Sequence, residues 1–363
     1  MSSPVSIYIH VPFCLKRHKA AAPDVCEAPR ELRQRYLDAL DREIEAGGDL
    51  IDGRELASVY VGGGASLLRP DLLARTVLGL KRRMKPVRSM ELTVRFAPQA
   101  LVSTSLSGLN ICSFNRIALE ALAQRDQDFA FLDAPFAYGT VEDGLNMATL
   151  FKFPNCDVEL LYGLPDQSPR ALENTLCAYA NFHNVNHVTL RPYTGADRLD
   201  DAALAERFAQ ATAYLASRGF SLYGTNRFAR AGKECRFFVQ ECEGVERIGF
   251  GAAAQSQIDG FCYRNTPDIG RYLEGAGSFE AITVDPAQLD PTADQLRRLA
   301  LRLQLAATFE LEETIGTPAP QVHRALERLV QAGLAKIDGE RVQATALALR
   351  RPELVWECCV KVV

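Results

Sequence analysis

The chain is 363 residues long and lacks most of the features that would place it in a class at first sight. No apolar run reaches the roughly 18 residues that a membrane-spanning helix needs. The formal net charge is only −4, so no basic field attracts nucleic acid. A basic segment followed by an apolar stretch, typical of a secretory signal, is also missing near the N-terminus. We therefore expect a cytoplasmic protein that binds neither membrane nor nucleic acid.

Closely spaced cysteines are missing as well, although the chain has ten cysteines. No Cys-x2-Cys pair occurs, so the usual spacing of a zinc or iron–sulfur loop is absent. The cysteines are scattered, and several lie in apolar, strand-like runs. This favours reduced thiols that pack as small hydrophobic side chains.

What the sequence does contain is a regular alternation of strand-like and helix-like segments. Six segments are predicted strands: 6–11, 56–61, 90–96, 109–114, 156–162 and 187–190. Apolar residues at helical spacing predict helices over 32–44 and 70–80. Strands that alternate with helices of this length indicate parallel βα units, and hence a barrel or a doubly wound sheet.

The pattern changes near residue 285. Two helical segments, 296–303 and 322–330, precede a hairpin over 335–342 that turns at Asp338-Gly339. This order is typical of a winged-helix-like domain, so we predict one domain over 1–280 and another over 285–363. DNA binding is not expected, because Arg324 and Arg328 on the second helix are balanced by Glu327.

Several motifs together resemble one known family. They are residues 8–14 (Tyr-Ile-His-Val-Pro-Phe-Cys), 61–64 (Val-Gly-Gly-Gly) followed by Ser66-Leu67-Leu68, 91–98, 157–165 and 249–256. The sequence resembles the radical S-adenosylmethionine (SAM) enzymes of the oxygen-independent coproporphyrinogen III oxidase and heme-chaperone type. The resemblance implies an α/β fold: a partial (β/α)6 radical-SAM-type barrel, followed by a small C-terminal helical, winged-helix-like domain.

The resemblance also implies SAM and a [4Fe–4S] cluster, which the family holds in a Cys-x3-Cys-x2-Cys loop. This chain keeps only the first cysteine, Cys14, and has His18 and Ala21 at the other two positions. A cluster of this class needs three thiolates and leaves one iron open for SAM. We therefore predict that the chain carries no [4Fe–4S] cluster and does not cleave SAM reductively.

Other positions that the resemblance links to SAM have changed too. Arg95 stands where a glutamate is usual, and Cys112 where a glutamine is usual. The glycines at 62–64 are kept, and in the family their backbone accepts the methionyl amino group. Candidate cofactor-binding residues are therefore Gly62, Gly63, Gly64, Arg95, Cys112 and Arg191.

Three residues are candidates for catalysis in the barrel mouth. Glu159 follows a predicted strand, where barrel enzymes place an acid or base. Tyr8 would face the mouth and stack on a ligand, and His10 would carry a proton. The structural alternatives are that Tyr8 is an aromatic residue of the core and that His10 is a buried, hydrogen-bonded histidine.

Several hypotheses on function stay open at this point. The leading one is a repurposed barrel that binds SAM, a tetrapyrrole-like molecule or another small molecule, for non-radical chemistry or in support of a partner enzyme. One alternative is an active enzyme with an altered cluster, or zinc, held by Cys14, His18 and Cys26. Another is a heme carrier. A basic loop without any metal is the simplest interpretation of residues 15–26.

The charges in the barrel mouth give a further expectation. Arg95, Arg191 and the basic run Lys16, Arg17 and Lys19 favour an anionic ligand. In the competing interpretation, Arg95 pairs internally with Glu159 and the lysines face solvent.

Overall fold

The structure is a computed structural model and describes residues 4–21, 25–64 and 70–360. The predicted continuation of the glycine motif, Ser66 to Leu68, lies outside the described residues. Within these ranges, no helix combines the length and the apolar character that crossing a bilayer requires.

The strands are numbered in chain order. They are β1 (Val5–Val11), β2 (Phe13–Cys14), β3 (Cys26–Glu27), β4 (Glu55–Gly63), β5 (Lys85–Phe96), β6 (Arg116–Leu122), β7 (Cys156–Tyr162), β8 (Val185–Pro192), β9 (Ser221–Gly224), β10 (Arg227–Ala229), β11 (Glu246–Phe250), β12 (Gln255–Ile258), β13 (Phe261–Asn265), β14 (Thr283–Gln288), β15 (Phe309–Glu310), β16 (Ala335–Asp338) and β17 (Arg341–Ala344).

The helices are numbered in the same way. They are α1 (Arg30–Ala46), α2 (Gly48–Ile51), α3 (Pro70–Arg83), α4 (Ser103–Ile111), α5 (Asp126–Leu132), α6 (Tyr138–Leu150), α7 (Pro169–Ala180), α8 (Asp201–Ser217), α9 (Arg236–Cys242), α10 (Ile269–Gly275), α11 (Phe279–Ile282), α12 (Pro291–Arg302), α13 (Leu311–Ile315), α14 (Pro320–Gln331), α15 (Ala346–Arg350) and α16 (Pro352–Val360).

A twelve-stranded sheet forms the body of the molecule, in the order β14-β13-β12-β11-β1-β4-β5-β6-β7-β8-β10-β9. The run from β1 through β4 to β8 is parallel throughout and forms the predicted partial (β/α)6 barrel. β11 extends this run in parallel beyond β1, whereas β10 and β9 extend it with antiparallel pairing beyond β8. The C-terminal ends of the parallel strands therefore open on one side of the molecule.

Burial on both faces explains why β1 and β7 are recognisable from sequence. In β7 all seven residues are buried, and in β1 every residue except Tyr8 is buried. Parallel strands that are covered on both sides give near-continuous apolar runs of this kind. Helix α1 packs Tyr36, Leu40 and Ile44 against the sheet, as its predicted spacing requires.

The fourth parallel strand is not where the sequence pattern puts it. Residues 109–114, predicted to be a strand, form the end of α4 and the turn after it, and the strand is β6, which begins at Arg116. The pattern misleads because β6 carries Arg116 and Glu120 within a buried sheet. Both charges have partners on neighbouring strands, which a single segment does not reveal.

The C-terminal segments build a second hydrophobic cluster around α12, α14 and α16. The predicted hairpin over 335–342 is confirmed, since β16 and β17 pair in antiparallel fashion around Gly339, whose φ is +61°. β15 adds to β17, which completes a small winged sheet. β14 still pairs with β13 in the large sheet, so that sheet extends past residue 285, and the domain boundary stays a prediction.

Candidate functional site

The C-terminal ends of the parallel strands surround a cavity of about 370 Å³, a volume that suits a small-molecule ligand. Aromatic side chains from β1, β4 and α9 line part of it: Tyr8, Tyr60, Phe237 and Phe238. Charged side chains line much of the remainder: Arg95, Arg116, Arg191, Arg227, Arg247, Asp157, Glu159 and Glu241. The cavity is thus a half-aromatic, half-charged site with an excess of arginines.

Arg95, at the end of β5, is held between two carboxylates. Its Nε and Nη2 donate to the two oxygens of Glu159 at 3.0 and 2.8 Å. Nη2 also donates to Glu120 at 2.9 Å. Burial opposes ionisation of Glu120, but Arg95 beside it holds the pKa of this carboxyl well below its usual range. The structure therefore shows Arg95 paired internally with Glu159 and Glu120. These two carboxylates offset its charge, so it is not available to an anionic ligand.

The glycine motif is explained by the packing of β4 against β1. A Cβ atom on Gly63 would lie 2.0 Å from the Val11 carbonyl oxygen, and one on Gly64 would lie 1.6 Å from that of Phe13. A Cβ atom on Gly62 would lie 2.6 Å from the Tyr8 hydroxyl. These positions need glycine for the strand contact alone, with or without a ligand.

The same motif faces a cation. Arg95 Nη1 lies 3.5 Å from the Gly63 carbonyl oxygen. The resemblance assigns backbone groups of this motif to the methionyl ammonium group of SAM, and an ammonium placed there would meet the guanidinium. The like charges oppose the pose that the family uses.

The loop after β1 contains the candidate metal ligands, but they do not converge. Cys14 lies opposite Glu27 in the β2–β3 ladder, and the thiol of Cys26 donates to the Pro12 carbonyl oxygen at 3.4 Å. His18 Nε2 lies 3.5 Å from a carboxylate oxygen of Glu120. Across residues 4–21, 25–64 and 70–360, no group of three or more Cys, His, Asp or Glu side chains is placed to hold a metal ion.

The residues in this loop do not fit a [4Fe–4S] cluster. Of the three family positions, Cys14 alone has a thiol, and burial raises its pKa. The cavity beside the loop measures about 40 Å³ and is lined by Cys14, His18, Ala21, Arg95 and Glu120, among others. One thiolate does not supply the three that a cluster of this class needs.

Most of the basic run in this loop is engaged by neighbouring groups. Arg17 Nη1 donates to the Val25 carbonyl oxygen at 2.7 Å, and the Lys19 ammonium lies 4.0 Å above the Phe131 ring. Lys16 lines the small cavity. This run therefore contributes little charge to the larger cavity.

A buried hydrogen-bond chain lies at the floor of the larger cavity. Asp157 binds His187 Nδ1 at 2.8 Å and accepts from Thr189 at 3.0 Å, and His187 Nε2 lies 2.8 Å from the Tyr223 hydroxyl. Burial lowers the pKa of His187. Burial opposes ionisation of Asp157, but His187 and Arg116 keep its pKa below the usual range. We interpret Asp157 as an ionised acceptor and His187 as neutral.

The sequence analysis missed three of the cavity's five arginines: Arg116, Arg227 and Arg247. Arg116, on β6, donates from Nη2 to Asp157 at 3.1 Å. Arg227, on β10, lies across from Thr189 and places its guanidinium 3.9 Å from the centre of the Phe238 ring. A sequence signal for Arg116 existed, namely a charged residue followed by the apolar run 117–119.

The three predicted catalytic residues all line the cavity. The Tyr8 hydroxyl lies 3.0 Å from His10 Nδ1, and the two rings stack. Both oxygens of Glu159 accept hydrogen bonds from Arg95. Catalytic roles for these residues stay predictions.

Of the other predicted cofactor-binding residues, Arg191 lies in the cavity and Cys112 does not. Cys112 is the residue after α4, and its carbonyl oxygen accepts from Lys81 at 2.9 Å. It is buried in the hydrophobic core, because the strand in which the prediction placed it is the end of a helix. Assigning Cys112 to the barrel mouth was therefore wrong.

No protein-family model matches the chain. The oxygen-independent coproporphyrinogen III oxidase of Escherichia coli is 25% identical to it over 395 residues, which cover 94% of this chain and 82% of the relative. The heme chaperone HemW of Mycobacterium tuberculosis is 26% identical over 379 residues, 95% of each chain. The solved structure of coproporphyrinogen III oxidase (HemN) from Escherichia coli, a radical SAM enzyme, matches 99% of this chain and 91% of its own with a TM-score of 0.85 at 20% identity.

Proposed function

We propose that the barrel cavity binds a tetrapyrrole-like small molecule without a [4Fe–4S] cluster. The chain is similar to coproporphyrinogen III oxidases and HemW heme chaperones, and it has the radical SAM fold. Binding serves non-radical chemistry or delivery to a partner enzyme, and SAM is not cleaved reductively. Both named relatives handle tetrapyrroles, which is why we propose this ligand class.

One observation carries the proposal: the two halves of the barrel mouth differ. Beside the Cys14 loop, the cavity that Arg95 and Glu120 line together measures about 40 Å³. On the other side, a cavity of about 370 Å³ stays accessible. The accessible cavity includes Gly62, Gly63 and Arg95, positions that the resemblance links to SAM, whereas the Cys14 loop lines the smaller cavity.

The lining of the larger cavity suits a flat, largely apolar ring system. Tyr60 and Phe237 lie 5.4 Å apart between ring centres, and Tyr8 lies 6.1 Å from Phe237. Aromatic faces and edges of this kind pack against planar ligands. We expect the macrocycle to pack against Tyr8, Tyr60 and Phe237, with its polar substituents toward the arginines.

SAM is expected to bind weakly. Arg95 replaces the carboxylate that would accept hydrogen bonds from SAM, and no cluster anchors the methionine end. The loss of one charged hydrogen bond costs roughly 1.5–3 kcal/mol, which is about tenfold or more in affinity. Titration calorimetry measures this directly, and low-micromolar binding of SAM to the metal-free protein would contradict the expectation.

A titration with coproporphyrin III tests the proposal. Binding is followed by porphyrin absorbance and by the fluorescence of Trp356, the single tryptophan, which lines a neighbouring cavity that shares Phe238 and Arg247 with the site. We expect saturable binding to the metal-free protein, weakened by Phe237→Ala. The matched control is Phe279→Ala, which truncates a half-exposed ring outside the cavity. The proposal fails if metal-free protein does not bind, or if binding requires prior reconstitution with iron and sulfide.

A further inference from the structure

We propose that Arg191 forms an acid-binding subsite in the cavity, which takes a carboxylate or phosphate group of the ligand. The inference rests on the proposed function, since it names the polar end of a ligand in the same cavity. It also transfers the anion-binding role from Arg95, whose charge is already neutralised, to Arg191 at the end of β8.

Arg191 presents one edge of its guanidinium without an acceptor. Its Nε and Nη2 are buried and form no hydrogen bond with any described residue. These two nitrogens carry parallel N–H groups, and Arg95 uses the same pair to hold both oxygens of Glu159. The fork of Arg191 therefore has the geometry that binds a carboxylate or phosphate through two parallel bonds.

Arg116 adds a permanent charge at the floor. It is 1% exposed, and its Nη2 donates to Asp157, while Nε and Nη1 have no partner among the described residues. A buried charge with two unpaired donors is costly to the fold unless an acceptor is present. Arginine cannot lower this cost by losing its proton. An acidic group in the cavity supplies the missing acceptors.

The sheet register places Arg191 and Arg116 at different levels of the cavity, since Arg191 lies opposite Leu161 on β7, whereas Arg116 precedes Ile117, which lies opposite Cys156. Arg191 follows Thr189 by two residues on β8, so the two side chains lie on the same face about 7 Å apart. Thr189 donates to Asp157, which in turn binds Arg116. Arg227 lies opposite Thr189 on β10. Arg116 thus binds Asp157 at the floor, and Arg191 lies further toward the open end of the same cavity.

The ion pairs of the cavity leave a surplus of positive charge. Arg95 is paired with Glu159 and Glu120, and Arg247 is paired with Glu241. Arg191 and Arg227 form no ion pair within the described part of the chain. Arg191 on β8 and Arg227 on β10 contribute this surplus. A ligand with at least one ionised acid group complements it, whereas a neutral ligand does not.

The test uses three small probes on the full-length protein. Succinate carries two carboxylates, succinamide has the same shape without charge, and inorganic phosphate represents the other anion chemistry. Binding to wild type and to Arg191→Gln and Arg191→Lys is measured by calorimetry and by thermal shift. The matched control is Arg83→Gln, which removes an arginine whose partner, Asp52, lies outside the cavity.

We expect succinate or phosphate to stabilise the wild type and Arg83→Gln, and succinamide to have no effect. Arg191→Gln should bind the anion about 10- to 100-fold more weakly, as the loss of a charged, two-bond contact predicts. The affinity of Arg191→Lys for the anion should lie between those of wild type and Arg191→Gln, because lysine keeps the charge but lacks the two parallel N–H groups. A preference for succinate identifies a carboxylic acid ligand, and a preference for phosphate identifies a phosphate.

Equal binding by wild type and Arg191→Gln would overturn the inference, and so would succinamide binding as tightly as succinate. Failure of both anions to bind the wild type would do the same. These results are separable from the proposed function. Anion binding without coproporphyrin III binding supports the subsite and contradicts the tetrapyrrole, whereas the reverse result keeps the tetrapyrrole and removes the subsite.

Discussion

At the scale of single residues, the meaning of a charge in this barrel depends on its partner across the sheet. Arg95 looks like an anion-binding group when it is considered alone. Its contacts with Glu159 and Glu120 make it the counterion of two acids that would otherwise be buried together. The positive charge of Arg95 is therefore compensated within the protein.

We predict that Arg95→Glu destabilises the fold by about 3–5 kcal/mol, because it leaves three acids together in a largely buried site. Arg95→Glu combined with Glu159→Arg restores one cation between two acids and should recover most of the loss. Guanidinium unfolding of both variants measures this. Single and double variants of equal stability would show that the ion pairs do not support the fold.

A second prediction separates the two reasons for glycine in the motif. Gly63 and Gly53 have similar backbone angles, with φ of +66° and +74°. A Cβ on Gly63 would clash with the Val11 carbonyl oxygen, whereas nothing lies within 4 Å of one on Gly53. Gly53→Ala should cost about 1–2 kcal/mol for the left-handed conformation alone.

Gly63→Ala should lower stability by as much as Gly53→Ala does, and by about 1–3 kcal/mol more, because its Cβ overpacks β4 against β1. Chemical denaturation of the two variants in the absence of ligand is the measurement. If Gly53→Ala and Gly63→Ala lose equal stability, the strand contact does not require glycine. Ligand binding would then be the remaining explanation for glycine in the motif.

At the scale of elements, the sequence was sufficient where a strand or helix buries apolar residues continuously. β7 was predicted with both ends correct, and α1 was found from the spacing of Leu32 to Ile44. It was insufficient for β6, where Arg116 and Glu120 interrupt the apolar pattern. Their partners, Asp157 and Arg95, are 41 and 25 residues away in the chain, so local pattern cannot reveal them.

The same reason limited prediction of the site. Tyr8, His10, Glu159 and Arg191 follow or end recognisable strands and were assigned to the mouth, where they lie. Arg227 belongs to the three-residue strand β10, which is too short to carry a periodic signal. Its place in the cavity depends on antiparallel pairing with β8.

Helix α1 provides a pH-dependent contact with the strands beyond β1. Glu43 accepts from the Gly251 N–H, from Asn265 and from the Tyr272 hydroxyl. Burial raises the pKa of Glu43 from 4.5 to about 7 in spite of these donors. The folded state therefore holds a proton that the unfolded chain has already released.

The difference in bound protons fixes the direction in which stability changes with pH. Between pH 4.5 and about pH 7 the unfolded chain binds fewer protons at this site, so stability falls as the pH rises, by on the order of 3 kcal/mol in total. Urea unfolding of wild type and Glu43→Gln at several pH values isolates this contribution, since the other titrating groups are common to both. A pH dependence that is identical in the two proteins would exclude Glu43 as its source.

At the scale of the whole molecule, the chain has the fold of coproporphyrinogen III oxidase from Escherichia coli, with a TM-score of 0.85. The backbone positions that shape the strands are kept, including the glycines at the end of β4. The loop that would hold a cluster instead places His18 against Glu120, and Arg95 completes the ion pairs. The larger cavity beside this closed region is the part of the mouth that a ligand can enter.

The most direct test of this account is an assay of iron and acid-labile sulfide after anaerobic reconstitution. A radical SAM enzyme with three loop cysteines, taken through the same procedure, is the control. We predict that the control gains a cluster and that this protein retains no stoichiometric iron or sulfide. About four irons per chain with broad absorbance in the visible blue region, as a [4Fe–4S] cluster requires, would contradict the central claim.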